Sequence, residues 1–275
     1  MAVHQRMFDI PDGTGSKEVT IHPTAIVEKG AQIGVGVTVG PFCHIGPKVK
    51  LQDFVRIENN VIVENRTSIG EKTIVYPFST IGAFPQDLKF AGEDTKLEIG
   101  KENSIRQYVN ISLGTDHGGG ITKVGDSNLL MVYVHIGHDC KVGDNNVFAN
   151  RVSLAGHVEV GSQAILGGHS AIHQFCKVGN LAISAGGAKV VQDLAPFCMA
   201  QGDRARTQGL NLVGLKRSGL TPDDIKSIKE MYKLVFKKGL PLEDALAQIE
   251  ADFPETQYRK EWLDFIRSSE RGLCR

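Results

Sequence analysis

Aliphatic side chains recur along this chain at every sixth position. From Ile21 the series runs Val27, Ile33, Val39, Ile45, Leu51, Ile57, Val63, Ile69, Val75 and Ile81. The phase returns at Ile99, Ile105 and Ile111, then slips by one residue. It resumes at Val124, Leu130, Ile136, Val142, Phe148, Leu154, Val160, Leu166, Ile172 and Val178; Ser184 interrupts it and Val190 restores it. A period of six matches neither the helical period nor the two-residue alternation of a hairpin strand. It suits a parallel β-helix of hexapeptide repeats, in which each unit makes one short strand and one turn and three units close a triangular coil. The repeated aliphatic points inward and stacks on its equivalent one coil away, so each coil depends on its neighbours. A glycine often follows the aliphatic, as at Gly34, Gly40, Gly46, Gly70 and Gly82, and is expected to serve the tight turns.

Two stretches leave the repeat: "AFPQDLKFAGEDTK" near 83–96 and the glycine-rich "GTDHGGGIT" near 114–122. Insertions in a solenoid become projecting loops, often on the binding face. After about Pro196 the period changes. "LTPDDIKSIKEMYKLVFKKG" carries an N-cap threonine, Thr221, a first-turn Pro222, early acids and late lysines, and two further amphipathic helices follow. The expected organisation is a flexible lead-in over 1–18, a mainly β solenoid over 19–195, and a C-terminal α-helical domain over 196–275 that caps or docks on the coil.

Composition narrows the chemistry. Thirty-one basic side chains balance 31 acidic ones, which argues against a general nucleic-acid binder. The five cysteines are odd in number, widely spaced and without a CxxC pair, as in a reducing cytoplasm. No apolar run is long enough to span a bilayer, and the N-terminus has no secretory apolar core.

Histidines cluster in the solenoid: His135, His138, His157, His169 and His173 fall within about 40 residues. The segment "HIGHDC" at 135–140 poses the choice between a metal clip and an acid–base pair. Zinc needs three or four converging ligands, and His157 and His173 lie at conceivable spacings, but no cysteine pair supports them. As an acid–base site, His138 would be the base and the adjacent Asp139 would orient it. Gly156, beside His157, would let a backbone N–H approach an oxyanion. No activated serine or cysteine motif appears, so direct acyl transfer without a covalent intermediate is the simpler expectation.

The segments "QDLKFAG" (86–92), "HIGHDC" (135–140), "LAGHV" (154–158), "HQFC" (173–176), "AQGDRA" (200–205), "GLNLVGLKRSG" (209–219) and the terminal "RGLCR" carry a resemblance. The chain resembles, over about 19–275, the UDP-N-acetylglucosamine acyltransferases that begin lipid A biosynthesis. The resemblance implies a left-handed parallel β-helix, exceptional among crossover connections. It also implies a homotrimer with sites between subunits, and transfer of an (R)-3-hydroxyacyl chain from acyl carrier protein to the 3-hydroxyl of a UDP-sugar. His138 then matches the base, Asp139 its orienting partner and Gly156 the oxyanion donor. Asp87 and Lys89 match residues holding the sugar and phosphate region. His135, His157, His173 and Gln174 match the substrate cleft, and Asn211 and Arg217 match nucleotide and phosphate contacts. Gly186 falls where acyl length is limited, and its small size implies a chain of about fourteen carbons, each methylene being worth on the order of 0.8 kcal/mol. No metal or organic cofactor is implied beyond the carrier's phosphopantetheine. Arg204, Arg206, Lys216, Arg217, Lys237 and Lys238 are candidates for docking the acidic carrier.

The chain departs from the family pattern at "ISLGT" (111–115), where "IHRGT" is common, and at Val213 and Ser218. These departures are compatible with a 3-amino sugar and an amide product. The other readings are the downstream N-acyltransferase of the same pathway, a γ-type carbonic anhydrase and a non-catalytic assembly platform.

Overall fold

A computed structural model describes residues 16–275; most of the expected lead-in over 1–18 therefore lies outside the described residues. The chain folds into three sheets of eleven, nine and eight strands, parallel throughout except for the last strand of the eleven, and most of the strands are only two residues long. Successive strands fall in turn on the eleven-, nine- and eight-stranded sheets, so the chain winds around a triangular prism. Hydrogen-bonded neighbours are one coil apart: Ile136 pairs with Leu154, and Leu154 with Ile172. The inward aliphatics form the expected column, with Ile45, Val63, Ile81, Ile111, Ile136 and Leu154 each 0 % exposed. Burying one such side chain is worth roughly 1.5–3 kcal/mol, and the column repeats that gain at every unit. The phase break at Ser184 is buried too; its hydroxyl donates to Ser170 Oγ and accepts from Gly167 N–H. A second ladder, built from buried asparagines, lines another edge: the amides of Asn128, Asn146 and Ala164 donate in turn to the side chains of Asn103, Asn128 and Asn146.

The glycines play a different part from the one expected. Most of those after an inward aliphatic do not have left-handed backbone. A Cβ at Gly137 would lie 2.9 Å from Leu154 O, and one at Gly70 would lie 2.4 Å from the Gly100 carbonyl carbon. Close approach of the next coil excludes a side chain there. The left-handed corner comes two residues later and is filled by larger residues: Phe42 (φ 58°), Phe78 (64°), Asp139 (59°) and His157 (61°). Each such conformation costs an L-residue roughly 1–2 kcal/mol. The paired coils above and below hold it in place.

Both insertions interrupt the register. Ile69 pairs with Ile99, and Ile99 with Val124, where undisturbed partners are 18 residues apart. Both leave from the edge between the nine- and eight-stranded sheets, one between Thr80–Ala83 and Lys96–Ile99, the next between Asn110–Ser112 and Ile121–Val124.

Beyond residue 195 the helices do not start at once. Cys198–Gln201 extends the eleven-stranded sheet, and Arg206–Leu210 turns back antiparallel against it. Four helices follow: α1 (Leu212–Arg217), α2 (Pro222–Phe236), α3 (Leu242–Asp252) and α4 (Gln257–Arg267). Thr221 caps α2 in a reciprocal capping box with Asp224. Trp262 of α4 is fully buried and stacks on Phe197, 6.1 Å between centroids. The C-terminus returns to the coil as a strap, with Cys274 N–H donating to Asp193 O at 2.9 Å.

Where α4 meets the coil, Glu261 has a buried Oε1 without a partner, and burial raises its carboxyl above the ordinary value. A raised acid stabilises the fold below its unfolded-state pKa and forfeits that stability as pH rises through its folded-state value. Glu261→Gln should therefore raise the melting temperature by about 2–4 °C at pH 7.5, with the gain vanishing near pH 4. Thermal melts at the two pH values check this, and an equal shift at both would contradict it.

Candidate active site

The edge that carries both insertions also carries the histidines. Coil by coil it bears the first insertion, the second insertion, Gly137–His138–Asp139–Cys140, Ala155–Gly156–His157–Val158, and His173–Gln174–Phe175–Cys176. The 18-residue register sets His138, Gly156 and Gln174 in one column and Asp139, His157 and Phe175 in the next.

His138 Nδ1 lies 2.8 Å from Asp139 Oδ2. The Asp139 side chain is 1 % exposed, and a carboxylate so buried needs donors. It has them: Thr115 N–H reaches Oδ1 at 2.8 Å, and Thr115 Oγ1–H reaches Oδ2 at 2.6 Å. Asp139 N–H donates to Thr122 Oγ1. The carboxylate can then accept Nδ1–H of His138 and leave Nε2 as the acceptor. Gly156 lies under the ring; a Cβ there would stand 2.6 Å from His138 Nε2. The buried Gly156 N–H donates to no group among the described residues.

The His157 and His138 rings are perpendicular, 5.0 Å between centroids, and His157 stacks flat on Phe175 at 4.4 Å. Its Nε2 is 3.7 Å from Asp139 Oδ2. Burial, first of all, lowers its pKa, and His135 is lowered for the same reason. His135 Nδ1 lies 3.0 Å from Asn110 Oδ1. With His173, Ala171, Leu154 and Lys189, His135 lines a groove of about 440 Å³ across the outer face of the nine-stranded sheet. Asp87 closes the site from the first insertion, its pKa lowered chiefly by the Lys89 N–H. Cys140 is buried, donates to Ala155 O and is pushed up to about 12, so it serves neither as nucleophile nor as thiolate ligand. His138, Asp139 and His157 each bring a ligand atom within 4.8 Å of the others, so the corner could hold a cation, though Asp139 Oδ2 is already engaged by His138 and Thr115.

One chain does not gather every expected residue. Asp87, Lys89, His138, Asp139, Gly156, His157, His173 and Gln174 share the edge, and His135 flanks it. Gly186 sits exposed on the opposite edge of the nine-stranded sheet. Arg217 is exposed at the end of α1, whose following residue, Ser218, donates to Gln163 on the third edge. Asn211 is buried and committed: it caps α1 through Gly214 N–H and donates Nδ2–H to Leu181 O. Ser112 and Leu113 of "ISLGT" are both 1 % exposed.

Three residues of the site escaped the sequence reading. Phe175 could have been found by stepping 18 residues from His157. His117 lay in the flagged second insertion but outside the repeat in which histidines were counted. Thr115 was not recoverable, because its contact with Asp139 depends on how the insertion folds.

The hexapeptide signature of bacterial transferases matches residues 121–156, which include the His138 corner. The second domain of UDP-N-acetylglucosamine O-acyltransferase matches 193–274. The acyl-[acyl-carrier-protein]–UDP-N-acetylglucosamine O-acyltransferase of Myxococcus xanthus is 47 % identical over 93 % of this chain and 99 % of its own. That of Aliarcobacter butzleri is 44 % identical over 92 % and 97 %. The crystal structure of the Moraxella catarrhalis UDP-N-acetylglucosamine O-acyltransferase superposes with a TM-score of 0.90, at 43 % identity, over 93 % of this chain and 99 % of that one. The coil is accordingly a left-handed β-helix of hexapeptide repeats, and the chain belongs to the UDP-N-acetylglucosamine O-acyltransferase family.

Proposed function

We propose that this protein moves an (R)-3-hydroxyacyl chain from acyl carrier protein to the 3-hydroxyl of UDP-N-acetylglucosamine, the first acylation of lipid A assembly. The observation that carries this reading is the His138–Asp139 pair, oriented by Thr115 and set directly over Gly156. Nε2 of His138 takes the proton of the sugar hydroxyl as its oxygen attacks the thioester carbonyl. The carbonyl oxygen becomes an oxyanion, and the unpartnered Gly156 N–H is the donor available to it. Collapse breaks the carbon–sulfur bond, and the imidazolium returns its proton to the leaving thiolate of phosphopantetheine. The products are an ester and a free carrier thiol. Neutral His157, kept below the ordinary histidine pKa by burial, adds no competing positive charge beside the base.

The acyl chain has a path along the groove past His135 and His173, toward the edge where Gly186 leaves space. Asp87 and Lys89 hold the sugar and phosphate region, while Arg217 supplies a guanidinium suited to a diphosphate. Because Arg217 stands on an edge that this groove does not reach, the complete site is built between copies, in keeping with a homotrimer. Among the described residues no helix is long and apolar enough to cross a membrane; the five free, buried cysteines suit a reducing cytoplasm. No resident cofactor is required by this chemistry.

An acyl-transfer assay tests the reading. His138→Ala should lower kcat by about 10²–10⁴-fold while the fold persists by circular dichroism. Wild-type turnover with UDP-N-acetylglucosamine establishes the ester-forming reaction. Turnover of only the 3-amino analogue would reassign the acceptor to nitrogen, and full activity of His138→Ala would remove it as the base.

Gly156→Ala should cost about 10²-fold or more, because its methyl would displace the His138 ring and crowd the oxyanion position. Wild-type kcat in that variant would contradict the placement.

A further inference from the structure

The first insertion touches the catalytic corner through a residue with no assigned part. His117 Nε2 stands 3.0 Å from Asp87 Oδ2 and 3.3 Å from Thr115 Oγ1. Thr115 Oγ1–H in turn donates to Asp139 Oδ2, which is paired with His138. Polar contacts therefore run without a break from Asp87 through His117, Thr115 and Asp139 to the base. The other partner of the Asp87 carboxylate is Lys89 N–H, within its own loop. Among the described residues, His117 is the side chain from outside the first insertion that holds Asp87.

The place of His117 is itself fixed. Residues Asp116–Gly118 form a single 3₁₀ turn capped by Thr115, whose Oγ1 accepts from Gly118 N–H at 3.2 Å. Gly118 lies hard against Asp139, where an added Cβ would collide with the carboxylate, so the turn is moulded on the partner of the base. Beyond it, Gly119 (φ 97°) and Gly120 (φ 77°) adopt backbone that favours glycine and supply no side chain to anchor the loop. The Asp87 side chain is only 18 % exposed, and the imidazole covering it is 41 % exposed, at the mouth of the site.

We infer that His117 is a positioning residue that clamps Asp87 of the first insertion to the second, so that the two loops form one wall of the sugar-nucleotide site. The inference rests on the acyl-transfer reading. Nε2–H donates to one carboxylate oxygen of Asp87 and leaves the remaining acceptor capacity of that group for the substrate. Released from the clamp, Asp87 would be held only by its own loop, and the cost of ordering it would fall on sugar binding. The chemical step at His138 does not pass through His117, so the effect belongs in KM.

The test is a double-mutant cycle on the full-length enzyme with His117→Ala, Asp87→Ala and the pair, together with His117→Gln. KM for the sugar nucleotide, KM for the acyl carrier and kcat are measured, with calorimetric Kd for the sugar nucleotide on the same proteins. His117→Ala should raise the sugar-nucleotide KM about tenfold, leave the carrier KM unchanged and keep kcat within about twofold. His117→Gln retains an N–H donor and should restore most of the affinity. In the Asp87→Ala background, His117→Ala should add nothing further. Independent, multiplying effects would overturn the clamp. So would equal losses in both KM values and kcat together with a lowered melting temperature, the mark of a merely structural residue. Absence of wild-type turnover would instead remove the acyl-transfer reading. The Kd cycle would still decide the clamp, since coupled values keep it and independent values remove it.

Discussion

The parallel pairing of each undisturbed strand with the one 18 residues further on is the constraint from which the active edge follows. It converts sequence spacing into vertical alignment. His138 comes to rest over Gly156 because the two are one coil apart, and the ring fits only because Gly156 lacks a Cβ. Asp139, His157 and Phe175 stack for the same reason, each on left-handed backbone (φ 59°, 61° and 64°). Such backbone would be costly in an isolated turn. In this coil, ladders above and below fix it, and the strain aims side chains outward from a rigid corner.

A strictly regular coil would have left Asp139 buried without enough donors. The second insertion corrects this by departing from the register: Ile99 pairs with Val124, and the extra residues bring Thr115 to the carboxylate with both its N–H and its hydroxyl. Thr115 and Asp139 are 24 residues apart, a separation the undisturbed 18-residue coil does not produce. Regularity thus supplies His138 and its floor, and irregularity supplies the groups that satisfy Asp139. The two insertions arise in consecutive coils at one edge, so both can reach the same corner.

This division explains what could be read from the sequence. The inward column, the coil and the placing of His138, Gly156 and Gln174 follow from counting, because parallel pairing allows one register once one face is buried. Helix α2 could be read from its cap, because Thr221, Pro222 and Asp224 act within one turn. The function of the glycines was misread because close approach between coils is a tertiary demand, whereas a turn preference is local. The strands Cys198–Gln201 and Arg206–Leu210 were missed because the first is an end coil without the full repeat and the second pairs antiparallel. His117 and Thr115 lie where periodicity says nothing. Asn211, which the resemblance matches to a nucleotide contact, also closes the start of its own helix, a use of asparagine that its place before the helix makes legible.

A triangular coil cannot fold one of its edges against another. The groups suited to the acyl chain, the nucleotide and the proton transfer stand on three different edges of this prism: Gly186 on one, Arg217 above the second, and His138 on the third. The groove past His135 and His173 crosses the nine-stranded sheet and can connect the His138 edge to the Gly186 edge within one chain. No such path leads to Arg217, whose neighbour Ser218 is tied to Gln163 on the edge away from both insertions. If one UDP-sugar is to be met by both Asp87 and Arg217, the guanidinium must come from a second copy turned so that its third edge faces the first copy's insertions. A head-to-tail contact of that kind closes after a few copies only if each step is a rotation about a common axis. A threefold arrangement about an axis along the coils is the simplest that meets this need. The rigidity that places His138 over Gly156 also keeps a single chain from bringing its own Arg217 to its His138 edge, and that separation is what the proposed sharing of the site between copies answers.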